Sequence, residues 1–95
     1  MPISVREMDV FRCVMQSGSV TNAAVALNIS QPAVSRMLQQ AEERLGFRLF
    51  EREKKRLKPT TEAQTLFAEV VNVFAAIEHT QRLAVESFAT AKRGS

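Results

Sequence analysis

The residues best suited to chemistry in this 95-residue chain lie between Gln31 and Arg56. What they suit is hydrogen bonding and charge contact rather than bond-making. With Gln31 set at zero on a helical wheel of about 100° per residue, Ser35 falls near 40°, Gln39 near 80°, Pro32 near 100° and Arg36 near 140°. Val34, Leu38, Ala41 and Leu45 fall between roughly 280° and 340°. One face packs and the opposite face offers Gln, Ser, Arg and Gln. Gln matches adenine edges, Arg matches guanine, and Ser serves bases or phosphates. A solvated polar face, which any surface helix has, is the other meaning of the same pattern. Farther on, Lys54, Lys55 and Arg56 cluster without interleaved aromatics. Such a run offers charge contact, not base stacking, and its plain alternative is a solvated charge run.

Other chemistries find no constellation. His79 is the only histidine and has no Cys or His at ligand spacing, so no metal site is expected. Ser19, Ser30 and Ser35 have no neighbouring histidine and are better placed to cap helices or make contacts than to attack a substrate. Glu42-Glu43-Arg44 reads as a solvated helix segment. No Gly-rich phosphate loop occurs, and Met8, Met15 and Met37 read as core filler. No cofactor and no enzymatic activity are expected. Cys13, the single cysteine, reads as a small core residue; its lack of a partner fits a reducing cytoplasm. No run approaches 18 apolar residues and no export signal opens the chain, so no membrane span is expected.

Charge distribution says more than the formal net +3. Residues 36–58 carry eight cations against four anions, while the segments before and after are near neutral or slightly acidic. Confinement of the basicity to one segment is what a nucleic-acid footprint looks like.

The elements that would position these residues are mostly helical. Ser4-Val5-Arg6-Glu7 is a capping box for a first helix, with Val5, Met8, Phe11, Val14 and Met15 as its apolar face and Gly18 as its stop. Ser19 caps a short second helix over Val20 to Leu27, packing through Ala23, Ala24 and Leu27. Asn28-Ile29-Ser30 is a tight turn, and Ser30 caps a third helix over 31–45 with Pro32 in its first turn and Gly46 at its end. Helix, short turn and helix make a helix-turn-helix, whose second helix enters the major groove. Arg48 to Arg52 and Arg56 to Pro59 then suggest a two-stranded hairpin, a cationic wing over 48–58. Thr61 and Gln64 form a second capping box, opening a fourth helix of roughly 28–30 residues that ends near Phe88.

Ala63, Phe67, Val70, Phe74, Ile77, Gln81, Ala84 and Phe88 are spaced alternately four and three apart along that helix, a heptad seam for pairing with another helix. Leu66 and Val73 widen it. Part of the stripe should pack on the first helix and the rest should meet a partner. The organisation expected is therefore a DNA-binding domain over 1–58, a linker or dimerisation helix over 59–90 and a frayed tail over 91–95.

Residues 4–64 resemble the N-terminal winged helix-turn-helix of LysR-type bacterial transcriptional regulators. The resemblance rests on Phe11, Gly18-Ser19, Ala23-Ala24, Leu27, the run Ser30 to Arg36, Leu38, Glu42 to Gly46, Leu49 to Arg52 and Thr61 to Ala63. Gln64 departs from the glycine usual there, and the wing tip is more cationic than usual. The resemblance implies a cytoplasmic regulator that binds double-stranded promoter DNA at a pseudo-palindromic site. Base contacts would come from Gln31, Pro32, Ser35, Arg36 and Gln39. Backbone or wing contacts would come from Ser19, Thr21, Ser30, Arg52, Lys54, Lys55 and Arg56. A homodimer would form through helix 61–88, using Phe67, Val70, Phe74, Ile77, Gln81, Ala84 and Phe88, with tetramers in full-length proteins. A small-molecule effector would act only through a C-terminal domain that this sequence lacks. The rival is a protein-interaction module whose helix-turn-helix is scaffold; a pure scaffold has no need of a Gln/Ser/Arg face beside a cationic wing.

Overall fold

The computed structural model describes residues 2–53 and 56–93, with side chains as far as Ser87. Its order is α1 (Val5–Ser17), α2 (Val20–Leu27), α3 (Gln31–Leu45), β1 (Phe50–Glu53), β2 (Arg56–Pro59) and α4 (Thr61–Arg93).

The first three helices begin and end where their cap residues dictate. Ser4 and Glu7 form the reciprocal capping box of α1, and Gly18 closes that helix at φ 76°. The hydroxyls of Ser19 and Ser30 accept from Asn22 N and Ala33 N at the starts of α2 and α3. Asn28 takes the left-handed conformation at φ 57° between them, a position its short polar side chain tolerates.

The face of α1 that packs differs from the sequence expectation. Glu7, Val10, Phe11 and Val14 are buried while Val5 is half exposed. Val5 lies about 180° from Val14 on the helical wheel, so it cannot share that face. Ile3, just outside the helix, is buried instead. Phe11 joins three elements: its ring lies 5.9 Å from that of Phe50 at the start of β1 and 6.4 Å, edge-on, from that of Phe67 in α4. Ala23 and Ala24 of α2 and Val34, Leu38 and Ala41 of α3 complete the centre. Small residues on α2 let the helices approach closely.

The segment Glu42-Glu43-Arg44 is not simply solvated. The Arg44 guanidinium pairs with the Glu7 carboxylate, which is 5% exposed and also accepts from Ser4 N at 2.8 Å. A buried carboxylate needs such partners, and helical spacing within α3 gave no sign of one thirty-seven residues away. Glu42 is likewise engaged: its Oε2 accepts from Leu49 N at 2.6 Å and Phe50 N at 3.3 Å.

β1 and β2 pair antiparallel in the register Phe50↔Pro59, Arg52↔Leu57 and Glu53↔Arg56. The strand begins at Phe50, and the carbonyls of Arg48 and Leu49 just before it accept from Thr60. That threonine, not Thr61, caps α4: its Oγ1 accepts from Ala63 N at 3.1 Å. Two adjacent threonines satisfy the cap pattern by type, and the cap falls to Thr60, which follows the last strand pair at Pro59 and immediately precedes the helix.

α4 runs five residues beyond the expected end, taking in Ala91 to Arg93 of the expected tail. Its thirty-three residues span about 50 Å and stretch the molecule to 60 × 24 × 19 Å. The Arg12 guanidinium locks it to α1, sitting 4.4 Å over the Phe74 ring while bound to Asp9 at 2.6 Å. No helix among the described residues is long and apolar enough to cross a membrane.

Candidate nucleic-acid interface

The starts of α2 and α3 and the wing face one another across an open cleft of about 580 Å³. Gly18 and Ser19 from the turn between α1 and α2, Val20 and Thr21 from α2, Gln31 and Ser35 from α3, and Arg52, Arg56 and Leu57 from the wing line it. Among the described residues no carboxylate lines it. The arrangement follows from local rules. The caps at Ser19 and Ser30 aim two helix N-termini, with their unpaired N–H groups and positive dipole ends, toward the same side.

Strand alternation sorts the wing. Arg52 shares a face with Leu57, and that face looks into the cleft; Glu51, Glu53 and Lys58 lie on the other. Lys58 Nζ stands 3.6 Å from Glu53 Oε2 on that outer face, both side chains well exposed. Alternation thus offers Arg52 to the cleft and turns Lys58 toward a carboxylate; Arg56, whose register partner is Glu53 of the outer face, nevertheless lines the cleft as well.

The structure gathers some of the expected site residues and separates others. Ser19, Thr21, Gln31, Ser35, Arg52 and Arg56 meet at the cleft. Pro32, Arg36 and Gln39 are exposed on the same turns of α3 but outside it, continuing its polar face along the helix. Ser30 is exposed and already accepts the Ala33 N–H at 3.2 Å, which leaves its own hydroxyl proton to donate. Lys54 and Lys55, at the wing tip, lie outside the described residues. Sequence reasoning missed Val20 and Leu57 as apolar walls of the cleft; period-two alternation from Phe50 could have found Leu57 once the register was known.

The expected seam on α4 divides in the same way. Val70 is 2% exposed and Phe67 and Phe74 are half-buried, all against the chain's own core. Val70 is therefore not available to a partner, which corrects its place among the interface residues. Ile77 is half-buried, Gln81 and Ala84 are exposed, and the Phe88 side chain lies outside those described. Exposed apolar groups continue along the helix at Val73, Leu83 and Val85.

Other chemistry is no better served by the structure than by the sequence. Cys13 is half-buried on α1, and burial, with Asp9 adding to it and Arg12 opposing, pushes its thiol above the ordinary range. A thiol so held is a poor nucleophile. No group of three metal-ligating side chains occurs among the described residues.

Comparison with known proteins returns one family. Residues 5–64 match the profile described as bacterial regulatory helix-turn-helix protein, lysR family. The regulatory protein NocR of Agrobacterium fabrum is 45% identical over 84 residues, covering 88% of this chain and 28% of that protein. The HTH-type transcriptional regulator DgcR of a Pseudoalteromonas species is 53% identical over 70 residues, covering 74% of this chain and 24% of that protein. This chain thus spans about a quarter of the length of these relatives. Among solved structures, the BenM DBD in complex with benA site 1 DNA superposes with a TM-score of 0.81 at 28% identity, covering 88% of this chain and 94% of that one. The CbnR DBD–DNA complex does so with a TM-score of 0.73 at 27% identity, covering 94% and 99%.

Proposed function

Since the chain belongs to the lysR family of bacterial regulatory helix-turn-helix proteins, we propose that it binds double-stranded promoter DNA, sequence-specifically and as a homodimer, in the cytoplasm. The observation that carries this reading is the cleft itself. Two helix N-termini and two arginines converge there, and no carboxylate among the described residues opposes them. Phosphate oxygens are the ligands such a surface satisfies. In this reading α3 lies in the major groove. Gln31, Ser35, Arg36 and Gln39 address base edges, with Pro32 in apolar contact. Ser19, Thr21, Ser30, Arg52 and Arg56 hold the backbone, joined by Lys54 and Lys55 at the wing tip. BenM DBD and CbnR DBD, whose folds this chain shares, were solved in complex with DNA, which supports DNA as the ligand.

The homodimer forms through α4. Val73, Ile77 and Ala84, with Leu66 and Thr80, lie within about 60° of one another on the helical wheel, beside the stripe that packs on α1. Burying them against a second copy removes apolar surface from water at about 25 cal/mol per Å². A two-fold pair reads a pseudo-palindromic site. Tetramers, and response to a small-molecule effector, would depend on a region beyond this one in a longer protein.

A gel shift at graded salt tests the reading. Each phosphate neutralised contributes about 0.9 to the slope of log affinity against log salt, so two protomers with several contacts each should lose roughly a thousandfold between 50 and 200 mM. A slope near zero would refute DNA as the ligand. Dimerisation on sedimentation without any DNA binding would favour the interaction-module alternative.

A further inference from the structure

Leu49, at the base of the wing, is held from both sides by groups of neighbouring helices. From α3, Glu42 Oε2 accepts from Leu49 N at 2.6 Å and Phe50 N at 3.3 Å. From the start of α4, Thr60 N donates to the Leu49 carbonyl at 3.0 Å. The Thr60 hydroxyl reaches the carbonyls of Arg48 at 2.8 Å and Leu49 at 3.3 Å, and it accepts from Ala63 N. One peptide segment thus ties the recognition helix, the wing and the long helix together.

We propose that Glu42 and Thr60 are positioning residues for DNA binding: they set the angle of the wing against α3, and so the distance across the cleft at which Arg52 and Arg56 stand from Gln31 and Ser35. The proposal rests on the reading of that cleft as a DNA site. A two-stranded hairpin is marginal alone, so its direction must come from its attachments. Apolar packing attaches only the base. Phe50 is buried and Leu57 half-buried, whereas Arg52 opposite Leu57 and the next pair, Glu53 and Arg56, are exposed. The pair Leu49–Phe50 presents two adjacent N–H groups, and a carboxylate is the side chain that can accept both with charge assistance. Neither Glu42 nor Thr60 lines the cleft, so any effect they have on DNA passes through the wing.

The test compares E42A, E42Q, T60V and T60S by fluorescence anisotropy. The probe is the duplex that the wild-type protein enriches from a random pool, titrated at several salt concentrations, with active fractions fixed by stoichiometric titration. E42A and T60V should each weaken binding about tenfold. They should flatten the salt slope by about one to two, as wing–phosphate contacts are lost, while the ranking of single-base variants stays unchanged. T60S should match the wild type, and E42Q, which keeps one acceptor oxygen, should fall between E42A and the wild type. Variants that bind with the wild-type slope once active fraction is corrected would overturn the proposal, since a role in stability alone alters only that fraction. Loss of base ranking together with slope would also overturn it. Should E42A not fold, T60V and E42Q carry the same comparison. A wild-type protein that enriches no duplex and has no salt slope refutes the DNA reading instead.

Discussion

Phe11→Ala is expected to lower folding stability by about 3–5 kcal/mol, the range for removing a fully buried aromatic from a core. Phe11 is 2% exposed, and its ring touches that of Phe50 at the wing and that of Phe67 on α4. The cavity would therefore open where three elements meet, and none can close it without leaving the other two. Such pairs also contribute beyond their buried area, about 0.5–1.5 kcal/mol each. Domains of this size hold only about 5–15 kcal/mol in total. Urea unfolding followed by circular dichroism, at one protein concentration because dimers gain stability by mass action, measures the change. Val25→Ala, at a side chain 77% exposed, should stay within about 0.5 kcal/mol. A Phe11→Ala loss under about 1 kcal/mol would contradict the packing described.

Arg36→Ala is expected to cost about 1–3 kcal/mol per half-site, hence about 2–6 kcal/mol for a dimer changed in both protomers. Arg36 is exposed on α3 and enters no ion pair among the described residues, so its removal leaves the fold intact. What it removes is a forked donor that fits two acceptors on the guanine edge. The loss should therefore be large on the preferred duplex and small on unrelated sequences, lowering the ratio between them. Arg52→Ala should do the opposite, weakening all duplexes alike and reducing the salt slope. Competition binding with preferred and scrambled duplexes separates the two. Equal loss on every sequence for Arg36→Ala would make Arg36 a backbone contact and contradict its assignment.

Local chemistry made much of this fold legible in the sequence. Ser4 with Glu7, Ser19, Ser30 and the glycines at 18 and 46 set the ends of the first three helices, because caps act within one turn. The polar face of α3 followed from its 100° periodicity. Contacts between distant segments were not legible. Nothing near Glu7 announces Arg44, and nothing near Glu42 announces Leu49; a wheel reports which face a residue is on, not which element comes to meet it. The same limit explains the heptad on α4. Its first half has the spacing of a helix pair, but α1 of the same chain fills that role, so Val70 is buried without a second copy. In the candidate site, the residues were identifiable by type, whereas their convergence at one cleft depended on the hairpin register, which no turn residue encodes.

In the proposed complex two copies of this chain read DNA through α3 while the wing and α2 hold its backbone. Selection of bound duplexes from a random pool reads out symmetry, half-site sequence and specificity at once. A two-fold symmetric sequence should be enriched, its half-sites on one face of the duplex and separated by about 10 base pairs or a multiple of that. Enrichment of no sequence at all, or of a single asymmetric site bound by one protomer, would rule out this mode of binding.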